Sequence, residues 1–401
     1  MPPCQTASMI TRRFGRTGIA MPVLSCGGMR YQHKWDDVPP EEIPQANQDN
    51  LEATIRRALE LGINHIETAR GYGTSEMQLG RILPTIPRDQ LIVQTKVAPT
   101  ADPQEFLATF ERSMEYLRLD HVDLLSIHGI NNRELMEWTL RPGGCLDAAR
   151  RLQHEGRCLH LGFSTHAALE IIRETIASDA FDYVNLHWYW VNDRNWPAVE
   201  DARDRDMGVF IISPTDKGGR LQEPPEKLVN LCAPLSPMAF NDLYCLMRPE
   251  VHTLSIGAAR PGDFDEHVRA VELLGRADEL VPPIAARLCA EMETQLGRDW
   301  LDHWQEGLPE WEDTPGHIHI REILRVWNYA KALDMVEFAK SRHNLLGNAG
   351  HWFPGENTST LESHDLRPCL ANSPFPERVI AALEDARGLL AGEGVERLGK
   401  H

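Results

Sequence analysis

The sequence predicts an α/β fold, a (β/α)8 TIM barrel carrying an appended, mostly α-helical C-terminal region. Three observations lead there. Strand-like apolar runs alternate with amphipathic helix patterns from about residue 10 to 275, and near-continuous apolar strands belong to a parallel sheet covered on both faces. Polar side chains recur at or near the ends of successive runs (Glu67, Lys96, His128, Ser164, Asn185, Ser213), whereas an open doubly wound sheet gathers its site at one switch point. No Gly-x-Gly-x-x-Gly follows the first run, which counts against an open dinucleotide-binding sheet.

Taken in order, residues 22–28 read as a short buried strand closed by glycines. A helix is predicted over 51–61, with Leu51, Ile55, Ala58 and Leu59 on one stripe. A strand at 64–69 and a helix at 75–83 follow. The strand at 91–97 leads to a helix after Asp102-Pro103, a capping residue with proline at the first helical position. That helix carries Phe106, Phe110, Met114 and Leu117 at helical spacing. The alternation continues with strands at 122–127, 158–163, 182–188, 208–213 and 252–256, and helices at 145–155, 166–177, 196–205 and 261–274. The 22–28 run brings the strands to eight. No strand is predicted after about 279; helices are predicted over 284–296, 318–338 and 376–390. Between them lie Trp300, His303, Trp304, Trp311, His317, His319, His343, His351 and Trp352. The expected organisation is a barrel over 1–275 and a helical region over 276–401.

A net charge of −18 disfavours nucleic acid or an anionic membrane as partner. Eight scattered cysteines without a Cys-x-x-Cys pair argue against a zinc ribbon or disulfide scaffold and fit a reducing compartment. Residues 1–16 hold no apolar signal core, and no run of apolar residues is long enough to span a membrane. The expectation is a soluble cytoplasmic protein; its oligomeric state is not legible.

The chemistry concentrates in residues 62–76. The run His65-Ile66-Glu67-Thr68-Ala69 ends at Tyr72, flanked by Gly71 and Gly73, with a carboxylate five residues upstream. Tyrosine on such a turn is a poor packing choice. It is a good proton donor if a neighbour lowers its pKa from about 10. The next strand offers Lys96, and the strand after that ends in His128. Duller readings stay open: Lys96 as an end-of-strand lysine, Ser164 and Asn185 as caps, Arg260 as a surface charge. His317 and His319 lack a Glu-x-x-His partner motif, and no metal site is expected.

These residues resemble the aldo-keto reductases, (β/α)8 barrels that pass a hydride between NAD(P)H and a carbonyl. The family pattern Gly-x-Asn-x-x-Asp-Thr-Ala-x-x-Tyr-Gly-x-Ser-Glu is met at 62–76 except for Glu67 in place of Asp. The resemblance, covering about 10–275, implies a catalytic set of Tyr72, Lys96, His128 and Glu67. It implies nicotinamide contacts from Ser164 and Asn185, and cofactor contacts from Gly28 and Met29 at the end of the first strand. Ser213, Pro214, Lys217 and Gly219 resemble the loop over the pyrophosphate. Gly257, Ala259, Arg260 and Asp263, with Glu266 and His267 opening the next helix, resemble the adenosine-phosphate loop. The loop 29–48, with Met29, Tyr31, His33 and Trp35, is expected to shape the substrate pocket.

The last third is similar to a subgroup whose barrel is followed by a ferredoxin-like segment with Cys4 clusters. Trp311, Asp313 and Gly316 stand where ligands belong, and Cys369 alone remains in the final stretch. Three or four thiolates hold such a cluster, so no iron–sulfur cluster is expected.

The implied activity is NAD(P)H-dependent reduction of small aldehydes or ketones to alcohols, Tyr72 giving the proton. NADPH is the first expectation. NADH is the alternative, because the familiar cation positions fall on Gly257 and Asp263. Glu67 adds a methylene, roughly 1.3 Å of reach, and a misplacement near 1 Å can cost about a hundredfold in rate. That motivates a second reading, a weak or inactive NAD(P)H-binding barrel serving as a sensor or partner subunit.

Overall fold

Eight parallel strands close on themselves in the computed structural model, which describes residues 9–395; residues 1–8, with Cys4 and the first half of the 1–16 stretch, and 396–401 lie outside the described residues. A small antiparallel hairpin comes first, β1 (Thr11–Arg13) with β2 (Ala20–Pro22). The barrel strands are β3 (Leu24–Gly27), β4 (His65–Glu67), β5 (Ile92–Val97), β6 (Val122–Ile127), β7 (Cys158–Ser164), β8 (Tyr183–Leu186), β9 (Gly208–Ile211) and β10 (Thr253–Ile256). They pair in chain order and β10 closes the ring between β9 and β3. All eight predicted runs are used.

The hairpin is absent from the sequence reading because its strands have three residues each and β1 is mostly exposed. It carries Phe14 onto the barrel interior, where Phe14 packs with Met21, Ile92, Leu124, Tyr183 and Phe210. Gly208 makes room: a Cβ there would lie 2.6 Å from the Phe14 ring. Burying such a ring contributes about 1.5–3 kcal/mol.

Helices α1 (Gln45–Glu60), α2 (Ser75–Ile82), α3 (Pro103–Leu117), α4 (Arg133–Leu140), α5 (Cys145–His154), α6 (Leu169–Ala177) and α7 (Trp196–Asp204) alternate with the strands. In α3 the Asp102 carboxylate accepts from Gln104 N at 2.9 Å and the predicted stripe is buried. Helix α1 begins six residues before the predicted start. Its first turn is polar, so apolar periodicity only begins at Leu51, although Gln48 is buried and donates to Gln78 O. Helix α4 went unpredicted because it buries only Leu135 and Thr139. Helices α8 (Glu226–Cys232) and α9 (Pro237–Leu246) separate β9 from β10, and α10 (Asp265–Glu272) follows β10. Helix α9 sets the buried polar pair Asn241 and Asp242 within an otherwise mostly apolar run, so its sequence shows no helical period.

The described residues form two compact units, one of 9–218 with 241–277, the other of 219–240 with 278–395. The second is thus not a contiguous C-terminal region beginning at 276. Residues 219–240 group with it because Arg287 donates to the Leu231 carbonyl and Lys227 pairs with Glu291. It contains α11 (Ala277–Leu296, begun one residue before the unit), α12 (Arg298–His303), α13 (Ile320–Leu333), α14 (Val336–His343) and α15 (Pro376–Leu390). The helix predicted over 318–338 breaks at Asp334, whose φ of 58° is left-handed. Trp300 is the core of this unit: its indole N–H donates to Asn328 Oδ1 at 2.8 Å, and the Arg378 guanidinium lies 4.3 Å from its ring. No described helix is long and apolar enough to cross a membrane.

Candidate active site

Strand β4 ends at Glu67, but its backbone continues beside β5, with Thr68 N donating to Gln94 O at 2.8 Å and Arg70 N to Lys96 O at 3.0 Å. The chain then turns through Tyr72 and Gly73, the latter at φ 54°. A Cβ on Gly73 would lie 2.0 Å from the Lys34 carbonyl, so this position tolerates no side chain. The turn brings the Tyr72 hydroxyl 3.2 Å from Lys96 Nζ and 3.4 Å from Glu67 Oε1. Lys96 is in direct contact with Glu67 Oε1 and donates to Thr68 O at 2.9 Å. The His128 ring stands edge-on to Tyr72 with centroids 5.8 Å apart, and Trp35 does the same at 6.3 Å. Glu67, Tyr72, Lys96 and His128 are all buried.

Burial pushes the Lys96 ammonium well below the ordinary lysine range. The Glu67 carboxylate is the contact that favours keeping it charged. The longer glutamate therefore still meets its lysine. Its second oxygen accepts from Ser255 Oγ at 3.2 Å.

Across the barrel mouth, Ser164 and Asn185 are register partners on β7 and β8. Ser164 Oγ accepts from Gly129 N at 3.0 Å. Both polar atoms of the Asn185 amide are buried without a hydrogen-bond partner. One donor and one acceptor in that state complement a primary carboxamide.

After β9, Ser213 adopts a left-handed φ of 54°, and the Pro214 carbonyl accepts from Asn241 Nδ2. Lys217 Nζ lies 3.3 Å from His166 Nδ1 and 3.2 Å from His187 Nε2. Gly219 belongs to the second unit, where a Cβ would meet Met335. Gly28 packs against the Glu67 carbonyl and Ser75, and Met29 is partly exposed.

The loop after β10 is tied together by Asp263. Asp263 accepts from Ala259 N and Arg260 N and pairs with the Arg260 guanidinium at 3.0 Å, leaving Arg260 largely in solvent. His267 is buried, its Nδ1 2.5 Å from Asp242 Oδ2. Burial lowers its pKa, but the Asp242 charge and hydrogen bond outweigh that and hold it above the ordinary value. Arg30 was missed by sequence reasoning. Its side chain lies over Gly257, 3.3 Å from where a Cβ would be, and pairs with Asp216 at 3.4 Å. An arginine just past the glycines of the first strand was the available signal.

In the second unit, Trp311 packs edge-on to His317, and the His364 ring fills the space beside Gly316. His343 is hydrogen-bonded to Thr358 and Asn344, and His319 caps α13. Among the described residues no group of three or more His, Cys, Asp or Glu is placed to hold a metal ion.

The family model for the Aldo/keto reductase family matches residues 23–227, over half of the chain. An L-galactose dehydrogenase from Arabidopsis thaliana is 26% identical over 312 residues, 69% of this chain and 93% of the relative. An L-glyceraldehyde 3-phosphate reductase from Escherichia coli K12 is 26% identical over 243 residues, 54% of this chain and 64% of that one. The solved aldo-keto reductase of Klebsiella pneumoniae, a complex with NADPH, shares the fold at a TM-score of 0.52 and 19% identity, covering 69% of this chain and 96% of its own. The matched residues carry β3 to β9 with Glu67, Tyr72, Lys96 and His128, and the chain belongs to the aldo/keto reductase family of NAD(P)H oxidoreductases.

Proposed function

We propose that the protein reduces small aldehydes or ketones to alcohols with NADPH, NADH being the alternative, and that Tyr72 delivers the proton. The observation that carries this reading is the buried contact of the Tyr72 hydroxyl with Lys96 Nζ at 3.2 Å, closed from behind by Glu67. A cation at that distance stabilises the phenolate left when the phenol gives up its proton. Glu67 retains the proton on Lys96 against the burial that works to remove it. His128, beside the Tyr72 ring, offers an N–H to the carbonyl oxygen as negative charge builds there. A bound nicotinamide supplies the hydride. Asn185 and Ser164 are the residues read to hold its carboxamide, with Lys217 and Arg30 as cations for the pyrophosphate. Because Arg260 is paired with Asp263, little favours a ribose phosphate, which is why NADH stays as the alternative.

A small carbonyl compound is the proposed partner. The acidic surface supports a cytoplasmic protein binding neither nucleic acid nor membrane. The second unit is read as a helical relative of the ferredoxin-like segment that carries no cluster.

The test mixes purified protein with NADPH or NADH and a panel of aldehydes and ketones, following cofactor absorbance. Oxidation should occur and fall by about 10²–10⁴ in Tyr72→Phe, the range of a general acid. Tight cofactor binding with no turnover of any carbonyl would sink the reductase reading.

A further inference from the structure

The inward faces of β10, β3 and β4 repeat with a period of two. In the lower layer Thr253, Ser25 and His65 are joined through the Ser25 hydroxyl, 2.7 Å from Thr253 Oγ1 and 2.6 Å from His65 Nδ1. Two residues on, the corresponding positions are Ser255, Gly27 and Glu67. The middle strand has no side chain there, and Ser255 Oγ reaches past it to Glu67 Oε2 at 3.2 Å. A Cβ on Gly27 would lie 2.6 Å from Ser255 Oγ, 3.1 Å from the Ile256 carbonyl oxygen and 3.3 Å from Glu67 Oε2. Gly27 has an ordinary backbone conformation and is absent from the positive-φ glycines. Close approach, rather than torsion, is what the position demands.

We infer that Gly27 and Ser255 form a seat for the longer carboxylate of Glu67. Gly27 leaves the space in which Ser255 Oγ and Glu67 Oε2 meet, and Ser255 fixes Oε2 so that Oε1 faces Lys96 and Tyr72. A glutamate has one more rotatable bond than an aspartate, and its freedom must be removed if the carboxylate is to hold one position. A hydroxyl donating to an ionised oxygen does this with a charge-assisted hydrogen bond. An aspartate would draw the carboxylate back by about 1.3 Å, out of reach of Ser255. Ser255 is thus a positioning residue acting through Glu67. Its kinetic consequence rests on the reductase reading above; the geometry of the seat does not.

The test compares the wild-type full chain with Ser255→Ala, Ser255→Thr, Gly27→Ala, Glu67→Asp and Gly27→Ala/Glu67→Asp, in carbonyl reduction and in urea unfolding. Ser255→Ala should lower kcat about tenfold with cofactor KM within about twofold, as expected when a hydrogen bond to a charged group that orients the reacting groups is lost. It should also displace the alkaline limb of the kcat–pH profile, and Ser255→Thr, which keeps the hydroxyl, should restore both. Gly27→Ala should lower kcat likewise, and Glu67→Asp should recover it in that background. Wild-type kcat and pH profile in Ser255→Ala, or no recovery of Gly27→Ala by Glu67→Asp, would overturn the seat. If the wild type reduces no carbonyl, the reductase reading fails on its own and unfolding decides the seat. Gly27→Ala must then destabilise the Glu67 protein more than it destabilises Glu67→Asp; equal loss would refute it.

Discussion

Between β4 and β5 the Lys96 ammonium meets Glu67, the Thr68 carbonyl and the Tyr72 hydroxyl. Between β7 and β8 the Asn185 side chain bonds no protein group through either amide atom. The two sides of one barrel mouth are thus built differently. On the first side the polar groups satisfy one another, so phenol, cation and carboxylate hold their geometry before any ligand arrives. On the second, buried polarity is left for something else to satisfy, at a cost of about 1–3 kcal/mol per unpaired group. Pre-assembly suits groups that must move a proton on demand. A standing cost suits groups that recognise a ligand.

The largest expected effect breaks the assembled side. Lys96→Met leaves the Glu67 carboxylate buried beside Tyr72 and Ser255 without its cation, and urea unfolding should show a loss of about 3–5 kcal/mol. Lys96→Met/Glu67→Gln should recover most of that loss, because the buried charge leaves with its partner. If the single and double variants are equally unstable, the pair is not what holds this side together.

A smaller effect of opposite sign is expected at Asn185. Replacing the amide by leucine, which has the same number of side-chain heavy atoms and the same branching, removes two unpaired polar atoms and should raise unfolding stability by about 1–3 kcal/mol. The same Asn185→Leu protein should bind nicotinamide cofactor at least about tenfold more weakly in a fluorescence titration, since a specific polar contact is lost. A variant that is destabilised, or that binds as tightly as wild type, would remove the contrast between the two sides.

The assembled side was the more legible in sequence, for a physical reason. Glu67, Tyr72, Lys96 and His128 follow successive strands, and a parallel barrel delivers successive strand ends to one mouth. Chain order therefore stood in for spatial order. Ser255 and Glu67 are 188 residues apart and meet only because the barrel closes between β10 and β3. Arg30 reaches Gly257 for the same reason. His267 is buried against Asp242: a helix start exposes or buries a side chain according to its rotation about the axis, which one residue name does not reveal. The hairpin β1–β2 is too short to leave a period.

The smallest effect sharpens what lies beneath the assembled side. His65 occupies the layer below Glu67, hydrogen-bonded to Ser25, and burial, then the nearby Lys96 charge, lowers its pKa to about 3. In the unfolded chain the same imidazole titrates near 6.5. Above about pH 6.5 neither state binds the proton and nothing is lost. Below that, the unfolded state takes a proton that the folded state refuses until about pH 3, so stability falls with falling pH across this window. The slope from one such proton is at most about 1.4 kcal/mol per pH unit. Urea unfolding at a series of pH values between neutrality and mild acid should show a shallower dependence in His65→Gln, which keeps a polar contact to Ser25 and cannot titrate. Because the Lys96 charge contributes to the depression, Lys96→Met/Glu67→Gln should also flatten the dependence, by less than His65→Gln. Parallel slopes in wild type and His65→Gln would mean that the layer below the site is wetter, and the assembled side less dry, than its contacts imply.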